Sequence, residues 1–316
     1  MTINGLMTLL LENGTLLAMW GAILLHWLIP IPPEFHPLRL WHQTAIAVAT
    51  KVNNPKDNAK QRQLSGLLAW SVMWLTVLIT LVAMKQFVLF DSLFNLTLLW
   101  FAIEWKHPHQ LAKRLSKGLA EDRIGYCRHL LSLELNRETD KLSRVGLGKA
   151  SAETLLLAYG RQVVCVLFWY CLAGGIGAIL YRLAMSMARC WSPSRLAFQD
   201  FGLPAVRILA TVEIIPLRLF ALLLAFGRNL TGTIKTLWDQ GERWLLPGPG
   251  WLLAAAGGKL TLSLGGPAIY AEQRRERPTV GGPIAPAALH IAQLQQLLYW
   301  RLWCWLGLCS AWLLVF

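Results

Sequence analysis

The chain has 316 residues, of which 55% are hydrophobic and only 15% are charged, and it contains 16 tryptophans. This composition excludes a disordered tail, a collagen and a small disulfide-stapled scaffold, because it is more apolar and less charged than an average soluble domain. Lys and Arg number 30 against 17 Asp and Glu, which gives a net charge of +13. In so apolar a chain, this excess of cations indicates a membrane protein rather than a nucleic-acid-binding protein.

Hydropathy predicts a single membrane domain over residues 1–316. A bilayer core of ~30 Å needs about 20 apolar residues in a helix, and six segments approach that length. Three of them carry no formal charge, and glycines at 174, 175 and 177 are predicted contact points between helices. The sequence therefore predicts an all-α polytopic membrane protein with about six transmembrane helices and helical loops. The predicted spans are 14–33, 64–84, 87–103, 162–181, 208–227 and 297–316, and it stays open whether 87–103 crosses or lies in the interface.

The distribution of cations predicts which loops share a side of the membrane. Of the 30 Lys and Arg residues, 24 fall in alternate loops, whereas 84–91 and 189–204 hold only three. Under the positive-inside rule, the cation-rich loops are cytoplasmic, and the two poor loops and both termini lie on the far side. We therefore expect a multi-pass membrane protein whose main loops face the cytoplasm, with the lipid bilayer as its first partner. The predicted cytoplasmic segments are 34–63, 104–161 and 228–296.

Charged residues within the apolar segments are candidates for function, because an unpaired charge in the membrane is costly. Arg182, Arg207, Glu213 and Arg218 are of this kind. One interpretation is structural: Glu213 neutralises Arg182 between two helices. The other is that the arginines face a cytoplasmic cavity and bind carboxylate or phosphate.

Common catalytic and metal-binding motifs are absent from the sequence. It has no Walker A motif, no G-x-S-x-G and no H-E-x-x-H. The pairs His36 with His42 and His107 with His109 lack a completing Cys or carboxylate cluster, so no metal site is predicted. The six cysteines form no C-x-x-C motif and are predicted to be small buried residues.

Short motifs in a fixed order give the sequence a family resemblance. Each motif is short, but their order and spacing extend from about residue 18 to 285. The chain resembles the CobD/CbiB family of cobalamin-biosynthesis membrane proteins. The motifs include His36-Pro37-Leu38-Arg39, Arg137-Glu138-Thr139, Glu153, Tyr181-Arg182, Ala205, Arg207, Pro216-Leu217-Arg218-Leu219, and Leu264-Gly265-Gly266-Pro267 with Tyr270.

The resemblance implies adenosylcobinamide-phosphate synthase activity, an ATP-dependent amide ligation of adenosylcobyric acid with an amino alcohol or its phosphate. It implies ATP and Mg²⁺ as cofactors and a corrinoid intermediate as substrate; it says nothing of oligomeric state. If Glu138, Glu153, Arg182, Arg207 and Arg218 converge in one cytoplasm-facing pocket beside Gly265 and Gly266, a ligand site persists. The substrate-binding residues implied by the resemblance are His36, Arg137, Glu138, Glu153, Tyr181, Arg182, Arg207, Arg218, Gly265, Gly266, Pro267 and Tyr270.

The sequence also departs from the family, because several acidic positions are occupied by other residues. Family carboxylates fall on Leu157, Arg161, Leu209 and Leu253, for example. Loss of carboxylate oxygens removes ligands that Mg²⁺ requires. Two hypotheses therefore remain: a cobalamin-assembly enzyme with an altered site, or a non-catalytic membrane sensor or scaffold of the AmpE type. A transporter is a third and weaker hypothesis.

Overall fold

The protein is built almost entirely of α-helices. The computed structural model describes residues 13–32, 34, 36–270 and 272–315; Pro33 and Phe316, at the ends of two predicted spans, lie outside this part. The described helices are α1 Gly14–Leu28, α2 Pro37–Val52, α3 Ala59–Lys85, α4 Asp91–Ala102, α5 Lys106–Ala120, α6 Ile124–Glu134, α7 Arg144–Tyr159, α8 Cys165–Cys190, α9 Leu203–Ala225, α10 Leu230–Gln240, α11 Pro247–Leu260 and α12 Ala288–Val315.

Among the described residues, four helical segments are long and apolar enough to cross a membrane by length and composition, and they are 59–85, 144–190, 203–225 and 288–315. Helix α3 shows the expected exposure: its apolar window has a mean hydropathy of 2.2, yet only 11% of it is buried. A long helix whose apolar side chains are exposed on the outside of the protein is suited to contact with lipid and not with water. The prediction of an all-α polytopic membrane protein is confirmed.

Helix α4 is shorter than the predicted span 87–103. It comprises 12 residues, which extend about 18 Å at 1.5 Å per residue. Residues 86–90 instead form a turn between α3 and α4, and Phe87 and Leu89 in this turn are exposed. The hydropathy of 87–103 therefore includes a connecting turn as well as a helix.

The predicted span 162–181 is not one straight helix. Helix α7 continues through a π-helical turn, Gly160–Val164, into α8, and the backbone leaves helical geometry at Ala173 and Gly174. Arg161 and Tyr181 contact the same carboxylate, that of Glu213, although about 20 helical residues would separate them by ~30 Å. Residues 144–190 therefore form a helical hairpin with arms 144–172 and 175–190. This corrects the prediction, because hydropathy does not detect a reversal of direction.

Asn95 of α4 closes the tip of this hairpin. Its side-chain Oδ1 accepts a hydrogen bond of 2.8 Å from the backbone N–H of Gly175, the first residue of the second arm. Gly174 has a φ of +62°, a conformation that favours glycine. A Cβ on Gly177 would lie 2.5 Å from the carbonyl oxygen of Trp169 in the first arm. The glycines thus allow a tight reversal and close contact between the arms.

Several polar segments lie on one side of the molecule, which we call the polar side. Arg189 donates to the carbonyl oxygen of Leu133, and Arg195 donates to Asn136. Two residues after Asn136, the N–H of Glu138 donates to the carbonyl oxygen of Ile269. The segments 189–204 and 228–287 therefore meet the same stretch of chain. The prediction that 189–204 lies on the far side of the membrane from 104–161 is wrong. The segment 189–204 carries only two Lys or Arg residues, so the positive-inside rule had little basis for placing it.

Helix α9 connects these two segments, so it begins and ends on the polar side. Its largest interface is with α11, and Pro216 lies inside it. The predicted span 208–227 is thus an apolar helix that packs against another buried helix instead of joining opposite sides. Apolar composition alone does not distinguish the two cases.

Two small antiparallel sheets follow α11 and complete the polar side. Strand β1 Ser263–Gly265 pairs with β4 Thr279–Gly281, and β2 Ala268–Tyr270 pairs with β3 Gln273–Arg275. Lys149 of α7 donates to Ser263 Oγ over 2.9 Å. This contact holds the sheets against the beginning of the hairpin's first arm.

Candidate functional site

A cavity of about 460 Å³ lies between the start of α7 and the two small sheets. Five of its lining residues are cations and two are carboxylates, so its lining carries an excess of positive charge. We call it the anion cavity. Its charged lining residues are Arg137, Lys141, Lys149, Arg274, Arg277, Glu138 and Glu153, and Gly265, Pro267, Ala268 and Ile269 form one wall.

Glu153 is the buried centre of this cavity, with only 4% of its surface exposed. Its Oε2 lies 3.4 Å from Arg137 Nη2 and 3.2 Å from Arg277 Nη1. Its Oε1 accepts a hydrogen bond of 2.8 Å from the N–H of Gly265. A buried carboxylate requires such partners. Glu153 therefore fixes two arginines and the glycine turn in one arrangement.

The turn at Gly265 and Gly266 has a backbone geometry that favours glycine. Their φ angles are +79° and +93°. A Cβ on Gly265 would lie 2.2 Å from the carbonyl oxygen of Pro278. Arg277 donates from Nε to the carbonyl oxygen of Gly266 at 2.9 Å, and its guanidinium lies 5.2 Å from the ring centre of Trp244. The turn and Arg277 thus position each other.

Arg137 retains unused hydrogen-bonding capacity. It is 9% exposed, and its Nε has no hydrogen-bond partner in the described part of the chain. Burial lowers the pKa of Arg137, and the nearby Arg277 adds to this effect while Glu153 opposes it. The guanidinium nevertheless stays charged at neutral pH. An anion in the cavity would therefore offset the desolvation of this cation.

Glu138 has a structural role at the rim of the cavity. Its Oε1 accepts a hydrogen bond of 2.7 Å from the N–H of Glu272, and its own N–H binds Ile269. Both contacts hold the β2–β3 hairpin. In that hairpin, the Arg275 guanidinium lies 5.9 Å from the ring centre of Tyr270.

The structure brings Arg137, Glu138, Glu153, Gly265 and Pro267 together at the cavity. Gly266 follows Gly265 in the same turn, with its Cβ position 3.9 Å from Lys149 Nζ. These residues are the part of the predicted site that converges. Sequence reasoning did not select Lys141, Lys149, Arg274 or Arg277 as site residues, although the basic stretch at 274–277 was visible.

Three predicted residues lie near the hairpin instead. His36 caps α2, accepting at Nδ1 from the N–H of Leu38; burial lowers its pKa, and the Arg182 charge adds to the effect. Tyr181 donates to Glu213 at 2.9 Å. Arg182 is buried, with Nη1 3.8 Å from Met185 Sδ. The interpretation in which Glu213 neutralises Arg182 is wrong, because Glu213 is bound by Arg161 at 2.9 Å.

The remaining two arginines also lie away from the anion cavity. Arg218 donates to Glu242 at 2.9 Å and lies 4.6 Å from the ring centre of Trp251. Arg207 lines a second cleft together with Lys60. Arg182, Arg207 and Arg218 therefore do not join the cluster around Gly265, and the five residues of the convergence test do not share one pocket. These arginines lie on α8 and α9. Spacing along the sequence does not reveal where such helices lie relative to the glycine turn.

The residues of the cavity do not fit a divalent metal ion. Within residues 13–32, 34, 36–270 and 272–315, no group of three His, Cys, Asp or Glu side chains is placed to hold one. Both oxygens of Glu153 are bound by arginine or backbone N–H groups, and Mg²⁺ prefers free carboxylate oxygens. Among the paired histidines, His107 binds Glu134 at 3.3 Å and His109 contacts Gln295.

The fold and cavity define a multi-pass α-helical membrane protein with a cationic site on its polar side. The sequence profile of the family described as CobD/Cbib protein matches residues 19–298. The chain belongs to this family. No solved structure matches it.

Curated relatives match along nearly the full chain. A protein of Chromobacterium violaceum is 29% identical over 294 residues, covering 92% of this chain and 94% of the relative. One of Stutzerimonas stutzeri is 29% identical over 301 residues, covering 95% and 96%. One of Klebsiella pneumoniae is 25% identical over 290 residues, covering 87% and 90%. Each is named cobalamin biosynthesis protein CobD.

Proposed function

We propose that this protein acts in cobalamin biosynthesis in a bacterial inner membrane, with the polar side facing the cytoplasm. Family membership and the names of its full-length relatives support this role. The cation-rich loops support the orientation. The family resemblance implies an ATP-dependent amide ligation between adenosylcobyric acid and an amino alcohol or its phosphate.

The observation that carries the proposal is the arrangement of cations around Glu153 beneath the glycine turn. Arg137, Arg277 and Lys149 surround one cavity from two sides. Guanidinium groups bind carboxylate and phosphate oxygens through paired hydrogen bonds. We assign to these three residues the binding of the substrate's anionic group, and to Glu153 their positioning.

The chemistry of the ligation constrains what the cavity has to do. ATP would supply the phosphoryl group that activates a carboxylate, after which the amine displaces phosphate and the amide bond forms. Arginines at the cavity can hold the anionic reactants together and offset their mutual repulsion. Both oxygens of Glu153 are already bound by arginine or backbone N–H groups, so the cations of the cavity and not Mg²⁺ are assigned to the anionic group.

Complementation of a strain lacking the authentic synthase tests the proposal. We expect the full-length wild-type chain to restore growth that depends on cobalamin synthesis from adenosylcobyric acid, and the Arg277→Gln variant to fail. The matched control is Arg144→Gln, because Arg144 is an exposed cation that pairs with Asp122 outside the cavity. Membrane abundance of each variant is measured by immunoblotting.

Corrinoid binding by the purified protein separates the two principal outcomes. Growth restored by the wild type and the control, but not by Arg277→Gln at equal abundance, supports the enzyme. Absence of growth with the wild type, together with absence of corrinoid binding in an absorbance titration, would refute the proposal and favour a non-catalytic scaffold.

A further inference from the structure

A second cleft, of about 490 Å³, lies between the beginnings of α3 and α9. It shares no lining residue with the anion cavity. Two of its lining residues are cations, and none is a carboxylate. We call it the α3–α9 cleft, and its lining comprises Lys60, Gln63, Leu64, Leu67, Pro204, Arg207 and Ile208.

The cleft lies where α3 changes from polar to apolar. The first five residues of α3 include Lys60 and Gln63, whereas Leu64 and the residues after it begin the apolar run. Leu64 is 56% exposed and Leu67 is 40% exposed, and the outward apolar surface continues to Val72 and Ile79. Such a helix meets acyl chains along its length and headgroups at its polar end.

The two cations of the cleft are available, whereas a neighbouring cation is not. Arg62 donates to Ala197 O at 2.6 Å and lies 3.6 Å from Asp200. Lys60 and Arg207 are exposed, and within the described ranges no ion pair engages either side chain. Both cations therefore keep their full capacity to bind an anion.

We propose that the α3–α9 cleft binds the headgroup phosphate of an anionic phospholipid between Lys60 and Arg207. One acyl chain of the lipid lies along Leu64, Leu67 and Ile208. Basic clefts between membrane helices attract anionic headgroups through their charge, and the apolar lining contributes by removing hydrocarbon from water. The continuous apolar surface selects a lipid over a free phosphate ion, because the ion would leave this part of the cleft empty.

Native mass spectrometry of the full-length protein in detergent tests this site. The protein is titrated with phosphatidylglycerol and, separately, with phosphatidylcholine, and lipid-bound fractions are compared for the wild type and Lys60→Gln/Arg207→Gln. The matched control is Lys51→Gln/Lys56→Gln, which removes two exposed lysines outside the cleft. Equal melting temperatures in detergent establish that the variants are folded.

We expect the wild type to retain phosphatidylglycerol in preference to phosphatidylcholine. The cleft variant should bind phosphatidylglycerol about thirtyfold more weakly, since each cation near an anionic surface contributes roughly a fivefold factor, and the control should bind like the wild type. Equal binding by the cleft and control variants would overturn the proposal. So would equal retention of both lipids by the wild type, or displacement of phosphatidylglycerol by inorganic phosphate at the same concentration.

Discussion

Arg161 holds the carboxylate of Glu213 inside the protein, with Nε and Nη2 at 3.1 and 3.0 Å from Oε2. Glu213 is fully buried, whereas the Arg161 side chain is 25% exposed. The pair joins the first arm of the hairpin to α9. Arg161 occupies a position where the family resemblance implies an acidic residue. Glu213 is the partner of its charge within the protein.

Removal of Arg161 should destabilise the protein strongly. The Arg161→Leu variant leaves a buried carboxylate without its cation, which costs about 3–5 kcal/mol. The double variant Arg161→Leu/Glu213→Leu should recover most of that loss, because it removes both charges. Thermal unfolding in detergent measures the effect. The surface control Arg144→Leu should cost less than about 1 kcal/mol, and an equally small effect of Arg161→Leu would contradict the assignment.

Asn95 should contribute to stability through the tip of the hairpin. In the Asn95→Ala variant the N–H of Gly175 loses its acceptor in an apolar setting, at a cost of about 1–3 kcal/mol. Thr97→Ala is the control on the same helix, since the exposed Thr97 hydroxyl donates to the carbonyl oxygen of Leu93 within α4. Melting temperatures of the two variants are compared. Equal values would show that the Asn95 contact is dispensable.

Alanine at Gly265 should disrupt the anion cavity. The change adds a Cβ to a residue whose φ is +79°, and strained backbone costs about 1–3 kcal/mol. The same Cβ would also collide with the carbonyl oxygen of Pro278. The expected result is weaker phosphate binding by calorimetry and a lower melting temperature. Gly125→Ala is the control, because nothing lies within 4 Å of its Cβ position; the alanine there should be neutral or stabilising.

The His107–Glu134 contact should make stability depend on pH. The hydrogen bond from His107 to Glu134 raises the pKa of the imidazole above its usual 6.5, although burial opposes it. For a raised pKa, the stabilisation is fully present below pH 6.5 and is lost as the pH rises through the folded-state value. The pKa of Glu134 is lowered, since the hydrogen bond from His107 and the Arg189 charge outweigh the opposing effect of burial.

The measurement is the melting temperature of the wild type and His107→Gln at pH 5.5 and pH 8.5. The melting temperature of the wild type should exceed that of the His107→Gln variant by more at pH 5.5 than at pH 8.5. In a Glu134→Gln background this difference between the two pH values should shrink. A larger advantage of the wild type at pH 8.5 would contradict the assignment.

Membrane-impermeant thiol labelling should distinguish the structure from the charge-based topology. With Cys304 replaced by Ser, introduced cysteines at Gln199 and Lys141 should be labelled from the same side of the membrane. A cysteine at Phe87, which is 87% exposed in the turn between α3 and α4, should be labelled from the opposite side. Labelling of Gln199→Cys and Phe87→Cys from the same side of the membrane would favour the topology predicted from loop charges.

The sequence predicted the class of fold well because hydropathy and charge act over whole segments. It could not predict that 162–181 reverses, since a single glycine at position 174 in a left-handed conformation changes the direction without altering the composition. Nor did it distinguish α9, which packs on α11, from a crossing helix of similar apolarity. The far-side assignment of 189–204 rested on only two cations.

The candidate site was predicted in part. Arg137, Glu138, Glu153 and the glycine turn are brought together, and the family resemblance had grouped them through their motifs. Arg182, Arg207 and Arg218 also belonged to these motifs, and they were candidates because a charge in an apolar segment is costly. Neither argument says which partner relieves that cost. Arg277 and Lys149 were missed as site residues, because ordinary cations in the predicted cytoplasmic segments carry no distinguishing local signal.

The hairpin also changes how often the chain passes between the two sides of the molecule. Its two arms run in opposite directions, because Arg161 of the first arm and Tyr181 of the second arm reach the same carboxylate of Glu213. Residues 144 and 190 therefore lie on one side, and this stretch adds an even number of traversals. A count that takes 162–181 as a single crossing assigns the loop that follows it to the wrong side.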